Sequence, residues 1–272
     1  MATPEVPTTL LDELQTVALR VATGAAELLQ TYSDVRLEHV NTKSSPTDLV
    51  SEADRASEAY IVSELRRARP GDAVLSEEGA SHDGTTSVSW VADPLDGTTN
   101  FFFQVPAYSV SLAACYEGTP VVGVVVDPSR HETWSAAQGR GARCNDVACH
   151  VAGGRSQLAT ALVGTGFSYR PERRVVQGAV VAHLLPRVRD IRRIGSAALD
   201  LCWVANGRFD AYFEAGLHYW DWAAGSVICE EAGGQLATLP GDIVLASTPE
   251  LMAPLTELLT RAQAEAEGAG LS

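Results

Sequence analysis

The stretch WVADPLDGTTNFF, Trp90 to Phe102, runs a strand-like apolar lead-in straight into two aspartates, a proline, a glycine and two threonines. Carboxylates at the mouth of a buried strand are costly unless something compensates them. Asp, Pro and Gly also make ordinary turns, so the segment alone fits either a polar bend or a pair of metal ligands. Pro94 fixes its own φ and donates no hydrogen bond, which suits a defined bend. Gly97 allows the backbone to approach a ligand closely. If a helix starts here, the N–H groups of Gly97 and Thr98 face an anion.

Outward from this segment, apolar residues at helical spacing predict an amphipathic helix over residues 10–31, and a second over 54–68 that stops at Pro70-Gly71. Residues 73–78, 88–93, 110–116, 120–128 and 132–137 read as strands, the last three as an antiparallel meander. Beyond residue 155 the texture alternates. Strands are predicted at 161–167, 188–195, 210–216 and 243–248, with helices at 172–186, 196–207, 220–234 and 249–267. The expectation is an α/β protein of layered α+β type: an N-terminal α+β half (1–150) and a C-terminal α/β half (151–272) in one compact unit.

The 272 residues suffice for a substantial core. With 34 Asp and Glu against 20 Lys and Arg, the net charge is −14, so no basic face for direct nucleic-acid binding is expected. The five cysteines include no CxxC pair, which suggests neither a zinc site nor a disulfide framework and fits spare thiols in a reducing cytoplasm. There is no signal-peptide pattern and no apolar run of membrane-spanning length, so a cytoplasmic protein is expected.

Acids recur where elements meet: Asp54, Glu77, Asp93, Asp96 and Asp221. The Leu95 carbonyl lies between two of them and could be a further oxygen ligand. Hard oxygen donors without thiols or histidines select Mg²⁺, Ca²⁺ or Mn²⁺. Three or four carboxylates could seat more than one ion, as two-metal phosphoryl chemistry requires.

Taken together, KSSPTDLVSEAD (43–54), SEE (76–78), DPLDGTTNF (93–101) and WDWAAGSVICEEAGG (220–234) resemble the inositol monophosphatase family, over about residues 40–235. The resemblance implies an αβαβα sandwich of the Mg-dependent sugar-phosphatase type. It implies hydrolysis of a small phosphate monoester with two or three Mg²⁺ ions, Mn²⁺ being a possible substitute. Glu77, Asp93, the Leu95 carbonyl, Asp96 and Asp221 match the family's metal ligands. Thr98 and Glu77 match the pair that orients and deprotonates water, Asp54 an outer acid, and Lys43 a lid lysine. Substrate contacts match Asp96, Gly97, Thr98, Arg192, Gly195, Ser196, Ala197, Glu214 and Asp221. The pocket-wall segments RRIGSAALDLC and FEAGLHYWD look most like the inositol-1-phosphatase branch. The histidinol-phosphate, fructose-1,6-bisphosphate and nucleotide-bisphosphate branches, or a transcription-associated binding role, remain the alternatives. Homodimers and lithium inhibition are also implied, with a phosphorylated polyol as the partner molecule. Phe102-Phe103 and Trp222 depart from the family's usual pattern.

Overall fold

The computed structural model describes residues 4–38, 46–77, 79 and 83–268. Helices α1 (Thr8–Glu38) and α2 (Pro46–Ala68) come first. A seven-stranded sheet follows: β1 (Ala73–Ser76), β2 (Val88–Asp96), β3 (Ser109–Tyr116), β4 (Thr119–Asp127), β5 (Glu132–Ala137), β6 (Ala142–Cys144) and β7 (Val147–Cys149), paired in chain order. β1 runs parallel to β2, and every later pair is antiparallel, as the meander pattern requires. A short helix α3 (Thr98–Phe103) interrupts the sheet after β2.

The second half begins with a 3₁₀ turn at Leu158–Thr160. It then alternates β8 (Leu162–Thr165), α4 (Pro171–Leu184), β9 (Asp190–Arg192), α5 (Ala197–Ala205), β10 (Ala211–Ala215) and α6 (Tyr219–Glu231). It closes with β11 (Gln235–Leu239), β12 (Ile243–Ser247) and α7 (Pro249–Gly268). The five strands are ordered β11-β12-β10-β8-β9, with β8 parallel to both β9 and β10.

Period-2 alternation sorts the side chains into layers. Trp90 and Ala92 of β2, Val110 and Leu112 of β3, and Val122 and Val124 of β4 pack on Leu14, Val21, Leu29 and Ile61 of α1 and α2. Their neighbours Val91, Ala113 and Val125 face Ala198, Leu201, Ala224 and Ile228 of α5 and α6. The far side of that helical layer meets Tyr212 of β10 and Ala246 of β12. Ala211, Phe213 and Leu245, on the other face of the second sheet, bury against Val180 and Leu184 of α4 and Leu255 and Leu259 of α7. The result is the αβαβα sandwich.

Some elements come out differently from expectation, and β6 and β7 were not foreseen. α2 starts at Pro46 rather than at 54, proline being well suited to a first helical turn. The strand expected over 188–195 shrinks to the edge strand β9, and β11 was not foreseen. All five cysteines are free, as expected. Among the described residues no helix is long and apolar enough to cross a membrane.

Candidate active site

In a regular strand, residues three apart point to opposite faces. Asp93 pairs with Ser111 and Asp96 with Ser109, so three steps on β2 oppose two on β3. That extra residue is a β-bulge, and it turns both aspartates to one face. Pro94 sits in the bulge, where its missing N–H breaks no ladder bond. Ser57 of α2 donates to the Pro94 carbonyl at 2.8 Å and pins the bulge from behind. Buried Asp54 lies one turn earlier on the same helix.

The face reached is that of α5 and α6. Ser111 Oγ donates to the Trp220 carbonyl at 3.5 Å, and Ser109 lies 3.2 Å from Ser196. Asp96 receives the Ser196 hydroxyl at 2.5 Å and the backbone N–H of Ala198 at 2.8 Å. Asp221, in the first turn of α6, accepts the His218 N–H at 2.6 Å. Asp93 Oδ1 accepts the Leu95 N–H, and the Leu95 carbonyl accepts the Thr98 hydroxyl at 3.1 Å.

Gly97 follows with φ 92°, and a Cβ there would lie 3.0 Å from the Ala107 carbonyl and 3.3 Å from that of Gly195. No other residue satisfies both the backbone angle and the space. Asn100 then ties α3 across the site, donating to the carbonyls of Ala107 (2.6 Å) and Ile194 (2.9 Å).

The electrostatics are one-sided. Burial, followed by the charges of Asp96, Glu77, Asp221 and Asp54, pushes the Asp93 carboxyl well above the usual range. Burial pushes Asp96 up to about 7, against the pull of its Ser196, Ala198 and Ala197 donors. It pushes Asp221 up to about 6, the His218 N–H opposing. Among the described residues, Asp93, Asp96 and Asp221 have no ion-pair partner. Nor do three acids converge tightly enough to form a finished cage among the described residues, since Asp96 and Asp221 are turned onto protein donors. Mutually repelling carboxylates, Asp93 and Asp96 buried and Asp221 partly so, with the Leu95 carbonyl between the first two, fit a hard divalent cation.

A cavity of about 450 Å³ opens here. Glu77, Asp96, Gly97, Gly195, Ala197, Glu214 and Asp221 all line it. Asp93, Leu95, Thr98 and Ser196 stand behind that wall through the contacts above. Arg192 is a correction: it is not among the residues lining the cavity and pairs with Asp190 at 2.7 Å, while Arg193 lines the cavity. Asp190 and Arg192 share one face of the edge strand β9, and Arg193 follows its end. Arg173, Tyr169 and His218 also line the cavity and were not foreseen; nothing local marks the first two. Lys43 lies outside the described residues. Phe101 is buried edge-on against Tyr108, while Phe103 is exposed. Trp222 packs edge-on against Tyr219.

Acids without an ion-pair partner among the described residues, beside a cavity in a layered α/β sandwich, make a candidate site for a metal and a small polar molecule. The inositol monophosphatase family model matches residues 10–268. Inositol-1-monophosphatase SuhB of Mycobacterium tuberculosis is 44% identical over 236 residues, covering 82% of this chain and 81% of the relative. The Nus factor SuhB of Pseudomonas aeruginosa is 42% identical over 234 residues, covering 83% and 85%. Among solved structures, Mycobacterium tuberculosis SuhB superposes with TM-score 0.81 at 40% identity, over 92% of this chain and 96% of that one. The inositol monophosphatase of Anabaena gives TM-score 0.81 at 34% identity, over 95% and 97%. The chain belongs to the inositol monophosphatase family and with it to the metal-dependent phosphate-monoester hydrolases.

Proposed function

We propose that this protein hydrolyses myo-inositol 1-phosphate to myo-inositol and inorganic phosphate. The observation that carries the reading is the β2 bulge, which turns Asp93 and Asp96 together toward Asp221, none of the three with an ion-pair partner among the described residues. Glu77, Asp93, the Leu95 carbonyl, Asp96 and Asp221 would hold two or three Mg²⁺ ions, with Mn²⁺ as a substitute. Bound there, the ions supply charge neutralisation for the phosphate and a more acidic water.

The chain's own groups do the rest. Water attacks phosphorus as the bond to the inositol oxygen breaks, and that oxygen takes up a proton from solvent to leave as the free hydroxyl. Thr98 and Glu77 orient the water and take its proton. The Gly97 and Thr98 N–H groups donate to the phosphate oxygens where charge builds. Asp54 supports the cluster from α2. Gly195, Ser196 and Ala197 border the substrate, Arg193 takes the place expected of Arg192, and Glu214 accepts hydrogen bonds from ring hydroxyls. The two halves work as one unit, as a cytoplasmic, lithium-sensitive homodimer.

Asp93→Asn, assayed on myo-inositol 1-phosphate at saturating Mg²⁺, is expected to lower kcat by at least about 10²-fold. A kcat near wild type would sink the scheme. A panel adding histidinol phosphate, fructose 1,6-bisphosphate and adenosine 3′,5′-bisphosphate tests the substrate, and preference for any of these would replace inositol.

A second reading rests on the relatives named Nus factor. In it the protein docks on a transcription complex through a basic protein surface, consistent with its charge of −14. Asp93→Asn separates the two, since it would leave such docking intact.

A further inference from the structure

Gly164 lies in strand β8, and Gly166 follows directly after the strand's last residue, Thr165. Glycine weakens a strand unless another group needs the space. Here a group does. A Cβ on Gly166 would lie 1.7 Å from Glu214 Oε2 and 2.1 Å from its Cδ. The Glu214 carboxylate therefore occupies the volume of the missing side chain. On the neighbouring strand β10, Gly164 pairs with Tyr212 and Thr165 with Phe213, which sets Glu214 beside Gly166.

Tyr212 and Glu214 are two apart, so they share a face of β10. Tyr212 is fully buried, and its hydroxyl donates to Glu214 Oε2 at 2.6 Å. A bond that short between a hydroxyl and a carboxylate is charge-assisted and strong. Oε1 has no hydrogen-bond partner among the described residues, and Glu214 lines the cavity. One oxygen is held from behind, and the other is left to accept from whatever the cavity holds.

We infer that Tyr212 is a positioning residue that, with Gly166, locks Glu214 so that its free oxygen selects a leaving group bearing hydroxyls. The inference rests on the reading of Glu214 as a contact to the substrate's polyol part. A glutamate side chain has three rotatable bonds, and fixing its carboxylate beforehand removes an ordering cost from binding. A hydroxyl-bearing leaving group gains from this; one with no hydroxyl to offer does not. Replacing Tyr212 by Phe keeps the buried ring and removes only the donor.

The test compares kcat/KM for myo-inositol 1-phosphate with that for p-nitrophenyl phosphate, whose leaving group offers no second hydroxyl. Wild type, Tyr212→Phe, Gly166→Ala and Glu214→Gln are measured at saturating Mg²⁺. Tyr212→Phe is expected to raise KM for inositol 1-phosphate by roughly tenfold with kcat within about twofold, and to lower the selectivity ratio by a similar factor. Gly166→Ala, which displaces the carboxylate directly, is expected to lower the same ratio. An equal loss on both substrates would mark Tyr212 as merely structural and overturn the inference. So would a ratio unmoved by Tyr212→Phe while Glu214→Gln lowers it. A ratio unmoved by Glu214→Gln would instead overturn the reading of Glu214 itself, and the role of Tyr212 with it.

Discussion

Replacing Gly123 by Ala tests how the fold places Asp221. Gly123 lies mid-strand in β4, flanked across the sheet by Ala113 of β3 and Ala136 of β5. This row of small residues is the floor on which α6 rests. A Cβ on Gly123 would lie 2.2 Å from the carbonyl oxygen of Ala224 and 3.2 Å from its Cα. Ordinary contact begins at 3.4 Å, so α6 must retreat by about 1 Å, and the obstacle is helix backbone rather than a side chain that can rotate. Overpacking of this kind costs about 1–3 kcal/mol, less the roughly 0.5–1 kcal/mol that Ala regains over Gly in a strand. For a chain of 272 residues a net loss near 1.5 kcal/mol lowers Tm by about 3–6 °C. The effect on activity is larger, because Asp221 lies one helical turn before Ala224 and moves with the helix. A misplacement of about 1 Å can cost on the order of 10²-fold in rate. Circular dichroism melting and kcat at saturating Mg²⁺ measure both. A variant with the Tm and kcat of wild type would refute the claim that this close approach sets the position of Asp221.

Two further outcomes follow from single positions. Asp200 on α5 is buried, its Oδ1 has no hydrogen-bond partner among the described residues, and burial, then the charges of Glu214 and Asp96, raise its carboxyl well above the usual range. The folded chain therefore keeps a proton that the unfolded chain releases above about pH 4, and the group costs stability as pH rises from there to its folded pKa. Asp200→Asn is expected to melt like wild type near pH 4 and to gain about 1.4 kcal/mol per pH unit across that window; a urea-denaturation series showing a constant difference would contradict this. Gly178 on α4 has an ordinary helical φ and open space around its Cβ position, so Gly178→Ala is expected to add about 0.5–1 kcal/mol and raise Tm by about 2 °C without changing kcat. A lower Tm would mean that an unseen contact needs the glycine.

Much of the layering could be read locally because the buried faces are regular. Trp90 and Ala92 alternate with Val91, and the same period in β3 and β4 assigns each residue to one of two helical layers. β11 escaped because it is an edge strand whose residues are half exposed, so QLATL carries no clean alternation. Within the site, the residue types of Asp93, Asp96 and Asp221 were legible as acids at element ends. That a bend at Pro94 could aim Asp93 and Asp96 at one point was legible too, but the device that does so, a bulge defined by the register of β3, was not.

Missing side chains explain why the remainder resisted a local reading. Gly97 lets the loop pass between two carbonyls, Gly123 lets α6 settle on the sheet, and Gly166 yields its volume to Glu214. Gly225 likewise brings α6 against α5, since a Cβ there would lie 2.7 Å from the Leu201 Cβ. In the stretch WDWAAG, then, Asp221 carries the chemistry while Ala224 and Gly225 set the distance at which it acts. Read along the chain, each glycine resembles a turn or a weak point in an element, because the group that needs its space lies elsewhere: about 100 residues away for Gly123 and 48 for Gly166. The side chains that react are visible as letters. The volumes that aim Asp221 and Glu214 are set by contacts between distant segments, and no short window of sequence contains both partners.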